Sequence, residues 1–138
     1  MNDTITDIKT ILSETKIIAL VGASDKQHRA SYGVMKFLQQ QGYRVIPVSP
    51  RLAGKTLLGE AVYASLSEIP EAVDMVDLFI NSEAAGPLSD DAVAINARFV
   101  WMQLGVINEA AAQRARDAGL LVVMDRCPAI ELPRLGSS

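Results

Sequence analysis

Residues 16–24 read Lys-Ile-Ile-Ala-Leu-Val-Gly-Ala-Ser, in which the apolar run Ile17–Val21 stops at Gly22. A loop of small and polar residues follows, and apolar residues at helical spacing begin near Tyr32. This order predicts a buried strand, a glycine turn and a helix. In nucleotide-binding α/β proteins a phosphate sits at such a junction, because small residues let the backbone approach it and the helix N-terminus offers unpaired N–H groups. The dinucleotide-binding fingerprint G-x-G-x-x-G has three glycines, whereas this stretch has one. Taken alone, the stretch is therefore compatible with a site for a nucleotide-like ligand or with a buried strand that simply ends in a turn.

The rest of the chain alternates between apolar runs and stretches of helical spacing. The apolar runs are continuous rather than alternating, as strands of a sheet covered on both faces require. We therefore expect one α/β domain over 1–138, a Rossmann-like doubly wound fold with a mainly parallel five-stranded sheet. A C-terminal tail, 125–138, contains two prolines and is expected to lie over the surface. The predicted strands are 17–21, 43–48, 73–80, 99–104 and 120–124, and the predicted helices are 3–14, 32–41, 83–97 and 109–118.

Length and composition indicate an intracellular globular domain. The chain has 138 residues, of which 49% are hydrophobic, so it can bury a core without disulfides or metal. It has a single cysteine, Cys127, and no apolar run near the roughly 20 residues that span a bilayer. The first residues lack the basic and apolar regions of a signal peptide. These features predict a cytoplasmic protein without a membrane segment.

Charge is unevenly distributed along the chain. The segment 22–55 contains six basic residues and one acid, Asp25, for a net charge of +5, whereas the rest of the chain carries −8. A basic segment in an acidic protein favours a small anionic ligand over nucleic acid, which usually requires a broader basic face. Chance clustering of solvated side chains is the alternative interpretation.

Ligands of doubly wound sheets bind beyond the C-terminal ends of the strands, at the switch point. The residues predicted at that rim are 22–24, 47–50, 81–82, 103–106 and 125–127. After the second predicted strand there is no carboxylate to bind the 2′-OH of an NAD ribose. Ser49, Arg51 and Lys55 stand there instead, and they suit the phosphorylated ribose of NADP or coenzyme A. A strand that ends at prolines and is followed by solvated cations remains the alternative.

Catalytic chemistry is hard to find in this sequence. His28 is the only histidine and lies in a predicted loop. Cys127 has a neighbouring cation, Arg126, which would lower a thiol pKa, but an inert buried cysteine is the alternative. No Cys/His cluster predicts zinc. We therefore assign no catalytic residue and no metal ligand.

Seven segments taken together resemble the small bacterial CoA-binding proteins of the YccU type. These proteins share a Rossmann-like domain with the N-terminal part of the succinyl-CoA synthetase alpha subunit. The resemblance extends from about Ile8 to Gly136. The segments that carry it are 18–24 (Ile-Ala-Leu-Val-Gly-Ala-Ser), 31–35 (Ser-Tyr-Gly-Val-Met), 45–50 (Val-Ile-Pro-Val-Ser-Pro), 54–59 (Gly-Lys-Thr-Leu-Leu-Gly), 73–77 (Val-Asp-Met-Val-Asp), 101–105 (Trp-Met-Gln-Leu-Gly) and 124–128 (Met-Asp-Arg-Cys-Pro).

The resemblance implies a set of ligand-binding residues. The CoA pyrophosphate would be held by Gly22, Ala23 and Ser24. The adenosine side would be lined by Pro47, Val48, Ser49 and Pro50, with Arg51 and Lys55 near its phosphates. Asn81 and Ser82 would flank the nucleotide from the other side. Many relatives have Arg after the Phe of the third strand, whereas here Ile80 follows Phe79.

Sequence and resemblance together predict a protein that binds coenzyme A or an acyl-CoA as a stand-alone binding or sensor module, with no reaction of its own evident. An NADP-dependent or acyl-transfer enzyme is one alternative. An oligomerisation domain with a vestigial nucleotide site is another. The acyl group, a protein partner and the oligomeric state are left open.

Overall fold

A computed structural model describes residues 4–136 of the chain. Within this range five parallel strands form one sheet, a separate two-stranded hairpin lies beside it, and five α-helices pack around the sheet. The helices are α1 (Thr4–Glu14), α2 (Ala30–Gln40), α3 (Ser82–Ala94), α4 (Glu109–Asp117) and α5 (Pro128–Gly136), and a 3-10 turn spans Leu66–Glu68. The strands are β1 (Ile17–Val21), β2 (Arg44–Val48), β3 (Thr56–Leu57), β4 (Glu60–Ala61), β5 (Met75–Leu78), β6 (Phe99–Met102) and β7 (Leu121–Val123).

The sheet has the order β2-β1-β5-β6-β7, which confirms the doubly wound α/β prediction. The chain first runs from β1 to β2 on one side, and then returns to pair β5 with the other side of β1. The connections after β1 and β5 therefore lead in opposite directions, which opens a crevice between the C-terminal ends of these strands. That switch point positions the site described below.

Both faces of the sheet are covered, which explains why the strands read as continuous apolar runs. Alternate strand residues such as Leu20 and Trp101 face one cluster that includes residues of α1 and α2. Their neighbours, such as Ala19 and Val100, face the cluster built with α3 and α4. Each strand therefore contributes buried side chains to two cores.

Pro47 lies within β2, an edge strand, as expected of a residue that has no N–H to donate to a central ladder. Its carbonyl accepts a hydrogen bond from the Tyr63 N–H at 3.1 Å, on the side away from β1. In a parallel strand the N–H and C=O of one residue point to the same side, so the missing donor costs no bond to β1. β2 ends one residue later at Val48.

The C-terminal segment differs from the predicted surface tail, because most of it forms α5. Pro128 stands in the first turn, where a proline removes no intrahelical bond. Ala129, Leu132 and Leu135 recur at a spacing of three and pack against the first core cluster. The predicted helix start at residue 3 and the last two residues of the tail, 137–138, lie outside the described range. None of the helices within residues 4–136 combines the length and the apolar composition that a membrane-spanning helix needs.

Candidate functional site: a basic cleft at the switch point

A cleft of about 540 Å³ opens where β1 ends and α2 begins. Its volume falls within the roughly 300–1,000 Å³ typical of small-molecule sites. We call it the basic cleft, and its lining residues are Gly22, Ala23, Ser24, Lys26, Arg29, Ala30, Ser31, Arg51 and Phe79. A larger groove of about 1030 Å³ lies between α1, α2 and α5, near the starts of β1 and β2 and thus at the opposite edge of the sheet.

Gly22 is required by the fold itself. Its φ is +90°, and a Cβ built on it would stand 2.1 Å from the carbonyl oxygen of Phe79. The Phe79 N–H in turn donates to the Val21 carbonyl at 2.8 Å, which holds the two strand ends together. A glycine here lets β1 and β5 approach each other where the crevice begins.

The amides of the loop divide into two groups. The N–H groups of Gly22 and Ala23 both donate to the Val48 carbonyl, at 3.1 and 3.2 Å, so they are already engaged. The N–H groups of Ser24, Ala30 and Ser31 have no hydrogen-bond partner within residues 4–136. Donors for an anion in this cleft are therefore those of Ser24 and the first turn of α2, whereas Gly22 and Ala23 provide space.

The N-terminus of α2 is left open, unlike those of α3 and α4. Its N-cap residue, Arg29, makes no capping bond, and its first turn contains no acid. Asn81 caps α3 by accepting from the Ala84 N–H at 2.8 Å, and Asn108 caps α4 by accepting from the Ala111 N–H at 3.0 Å. Glu83 and Glu109 add a carboxylate to the first turns of those two helices. The positive end of the α2 dipole therefore faces the cleft without a protein anion in that turn.

Three cations line the basic cleft. Within residues 4–136, Lys26 and Arg29 have no ion-pair partner, whereas Arg51 pairs with Asp25 at 3.3 Å. The three cations and Asp25 are all exposed residues of the loops that follow β1 and β2. The cleft thus combines a net positive charge with unpaired N–H donors, which is the chemistry of a phosphate site.

Of the residues predicted for the ligand, Gly22, Ala23, Ser24 and Arg51 line the cleft together. Lys55 is exposed but does not line it. Its backbone belongs to the turn after β2, because its N–H donates to the Leu52 carbonyl at 3.0 Å.

The predicted adenosine side is mostly buried at the end of β2. Pro47, Val48 and Ser49 are buried, and only Pro50 is exposed beside the cleft residue Arg51. The Ser49 Oγ accepts from the Leu52 N–H at 3.3 Å, which turns the chain toward the cleft.

Asn81 and Ser82 also lie outside the lining of the cleft, and their side chains have structural partners. Asn81 is the cap of α3. The Ser82 Oγ donates to the Gly105 carbonyl at 3.4 Å and accepts from the Ile107 N–H at 2.9 Å. These bonds tie the start of α3 to the loop that follows β6.

Sequence reasoning missed five lining residues: Lys26, Arg29, Ala30, Ser31 and Phe79. The two cations were counted in the basic segment but were not assigned to the ligand. The helix was predicted to begin near residue 32, whereas it begins at Ala30, so the first helical amides were overlooked. The available signal was the position of Lys26 and Arg29, which lie between the glycine turn and the start of the helix and could have been assigned to the ligand on that basis.

A buried carboxyl lies deeper, on β5. Asp77 is fully buried, and burial raises its pKa to about 7, although the hydrogen bond from Gln103 lowers it in part. The Gln103 Nε2 donates to Oδ1 at 2.7 Å, while Oδ2 has no partner within the described residues. Asp77 is inaccessible to a ligand in the cleft and was not singled out from the sequence.

The thiol of Cys127 is also buried, at the start of α5. Burial raises its pKa; the backbone N–H groups of Ala129 and Ile130 oppose that rise, and the charges of Asp77 and Glu131 add to it. A protonated, buried thiol is a poor nucleophile. His28 is exposed. Within residues 4–136 no three His, Cys, Asp or Glu side chains come together in a group that could hold a metal ion.

Comparison with known proteins places this geometry in context. A family model described as a CoA binding domain matches residues 16–133. The protein YneT of Bacillus subtilis is 38% identical over 121 residues, which are 88% of each chain. A protein of Pyrococcus horikoshii has a structure with a TM-score of 0.89 and 39% identity, over 95% of this chain and 91% of that one. A protein of Thermus thermophilus matches with a TM-score of 0.90 and 36% identity, over 98% and 99%.

Proposed function

Because the chain belongs to the CoA binding domain family, we propose that it binds coenzyme A or an acyl-CoA as a stand-alone binding or sensor module. The observation that carries the proposal is the basic cleft at the switch point, where three cations meet the open N-terminus of α2. Coenzyme A has a pyrophosphate and a 3′-phosphate, so it matches a cleft of this charge and donor content.

The pyrophosphate would lie against the first turn of α2. The N–H groups of Ser24, Ala30 and Ser31 are its proposed donors, because they have no hydrogen-bond partner within residues 4–136. Lys26 and Arg29 would neutralise its charge, since neither has an ion-pair partner in that range.

Arg51 would bind the 3′-phosphate, because it extends from the end of β2, on the side of β1 where the ribose of a nucleotide lies in such sheets. Pro50 is the residue of the predicted adenosine side that is exposed next to it. Pro47, Val48 and Ser49 are buried, so they would shape the site by positioning the backbone that leads to Pro50 and Arg51 rather than by touching the ligand with their side chains. We keep Lys55, Asn81 and Ser82 as flanking contacts that would require the ligand to extend beyond the cleft.

Binding without turnover is the second half of the proposal. The candidate nucleophile, Cys127, is buried with a raised pKa, and the buried Asp77 cannot touch a ligand in the cleft. The chemistry of CoA resides in its thiol, which a binding module would present to a partner or keep in store. We place this activity in the cytoplasm, where a lone reduced cysteine is the norm.

Calorimetric titration of the wild type with CoA, acetyl-CoA, NADP and NAD tests the proposal. We expect CoA or acetyl-CoA to bind and to raise the melting temperature, and NAD to bind least because it lacks a phosphate on the ribose. Arg29→Ala should weaken CoA binding, whereas Lys36→Ala, an exposed cation on α2 outside the cleft lining, should not. Preference for NADP over CoA would favour the enzyme alternative, and no binding of any of the four would refute the proposal.

A further inference from the structure

One of the cations that line the basic cleft is already paired with an anion of the protein itself. Asp25 lies in the loop after β1, and Arg51 lies in the turn after β2. The Asp25 Oδ1 stands 3.3 Å from the Arg51 Nη2, so the two loops are joined by an ion pair. Both side chains remain at least half exposed, at 50% and 64%, which leaves the pair free to open.

The Asp25–Arg51 ion pair places a carboxylate in an otherwise basic segment. Asp25 is the only acid in the segment 22–55, which otherwise contains six basic residues. The other two cations of the cleft, Lys26 and Arg29, have no ion-pair partner among residues 4–136. Of the three cations available to a phosphate, one is therefore already engaged by a carboxylate.

We propose that Asp25 is an internal competitor of the ligand, which holds Arg51 in the free protein and must release it when a phosphate binds. The inference rests on the proposed function, because it needs an anionic nucleotide in the cleft. A guanidinium pairs with a carboxylate or a phosphate through the same kind of donor, so a phosphate that approaches the Nη2 side of Arg51 competes with Asp25. Asp25 thereby lowers the affinity and favours ligands with a phosphate monoester, whose higher charge displaces a carboxylate more readily.

The expected magnitude follows from the exposure of the pair. An exposed ion pair contributes about 0.2–1 kcal/mol, so its removal should tighten CoA binding by about 1.4- to fivefold. The test is calorimetry of CoA binding to the wild type and Asp25→Asn at low salt. Asp91→Asn is the matched control, because it removes the same charge from an exposed position on α3.

The competitor role is separated from simple repulsion by repeating the substitution in an Arg51→Ala background. If Asp25 acts through Arg51, the gain from Asp25→Asn should vanish there, as a double-mutant cycle would register. A gain that persists in that background, or an equal gain in Asp91→Asn, would overturn the inference. So would unchanged affinity in Asp25→Asn when the wild type binds CoA. Absence of CoA binding by the wild type and by Asp25→Asn alike would instead refute the proposed function, and this inference with it.

Discussion

Asp77→Asn is the substitution for which the structure supports the most quantitative expectation. The side chain is fully buried in β5, with Oδ1 bound to Gln103 and Oδ2 without a partner among the described residues. Asparagine keeps an acceptor for Gln103 and cannot ionise. We therefore expect the free energy of unfolding to depend on pH differently in the wild type and in this variant.

The sign follows from the direction of the shift. Burial raises the pKa of Asp77 from 3.8 to about 7, so the native state binds a proton that the unfolded state has released between these values. The protonated carboxyl carries no penalty below pH 3.8; as pH rises to about 7, stability is progressively lost. The full shift corresponds to a loss on the order of 4 kcal/mol, of which roughly 2–3 kcal/mol falls between pH 5 and pH 8.

The assay is urea unfolding at pH 5, 6, 7 and 8, followed by the fluorescence of Trp101, which is the only tryptophan and is fully buried. The stability of Asp77→Asn relative to the wild type should improve by roughly 2–3 kcal/mol from the lowest to the highest pH. Asp91→Asn, an exposed acid on α3, should show no such trend. A difference between wild type and Asp77→Asn that stays constant across this range would refute the argument that burial raises the pKa of this carboxyl.

Gly22→Ala should destabilise the fold by about 2 kcal/mol or more, because residue 22 has a positive φ and the new Cβ would collide with the backbone carbonyl of Phe79. Gly33→Ala on α2 has open space around it and should leave the stability unchanged or raise it. Equal melting temperatures for the two variants would contradict this expectation. CoA should bind about tenfold more tightly than its 3′-dephospho form, the value of one charge-assisted hydrogen bond of about 1.5 kcal/mol, and calorimetry should find that preference abolished in Arg51→Ala. Acyl-CoA incubated with the pure protein should be recovered unchanged by chromatography. Turnover that disappears in Cys127→Ala or His28→Ala would instead support an enzyme.

Local sequence determined most of the sheet. The apolar run at 17–21 and the glycine after it are reproduced residue for residue as β1 and its turn. The predicted helix 109–118 is likewise reproduced as α4, Glu109–Asp117, with Asn108 directly before it as its cap. Such features depend on a few neighbouring residues, so their patterns are legible without the rest of the chain. Strand β5, Met75–Leu78, is shorter than the predicted 73–80, and the Asp74 carboxylate just before it accepts the N–H groups of Lys16 and Ile17.

Tertiary contacts decided the remainder of the fold. The hairpin of β3 and β4 pairs Thr56 with Ala61, and Tyr63 then bonds to the edge strand β2. No periodic pattern in the sequence predicts either contact. The sequence of helix α5 contains two prolines, Pro128 and Pro133, and for that reason it resembles a surface tail. It is helical because its apolar residues find a core to pack against.

The candidate site shows the same division between sequence and structure. Sequence alone located the glycine turn and the basic segment, and so predicted a small anionic ligand near residue 22. Only the structure distinguished the engaged amides of Gly22 and Ala23 from the unpaired ones of Ala30 and Ser31, and brought Arg51 across to the same cleft. Residue type and spacing determine which hydrogen-bond donors and charges a segment contains. Whether an N–H group is already hydrogen-bonded within the protein depends instead on contacts between segments that are far apart in the chain.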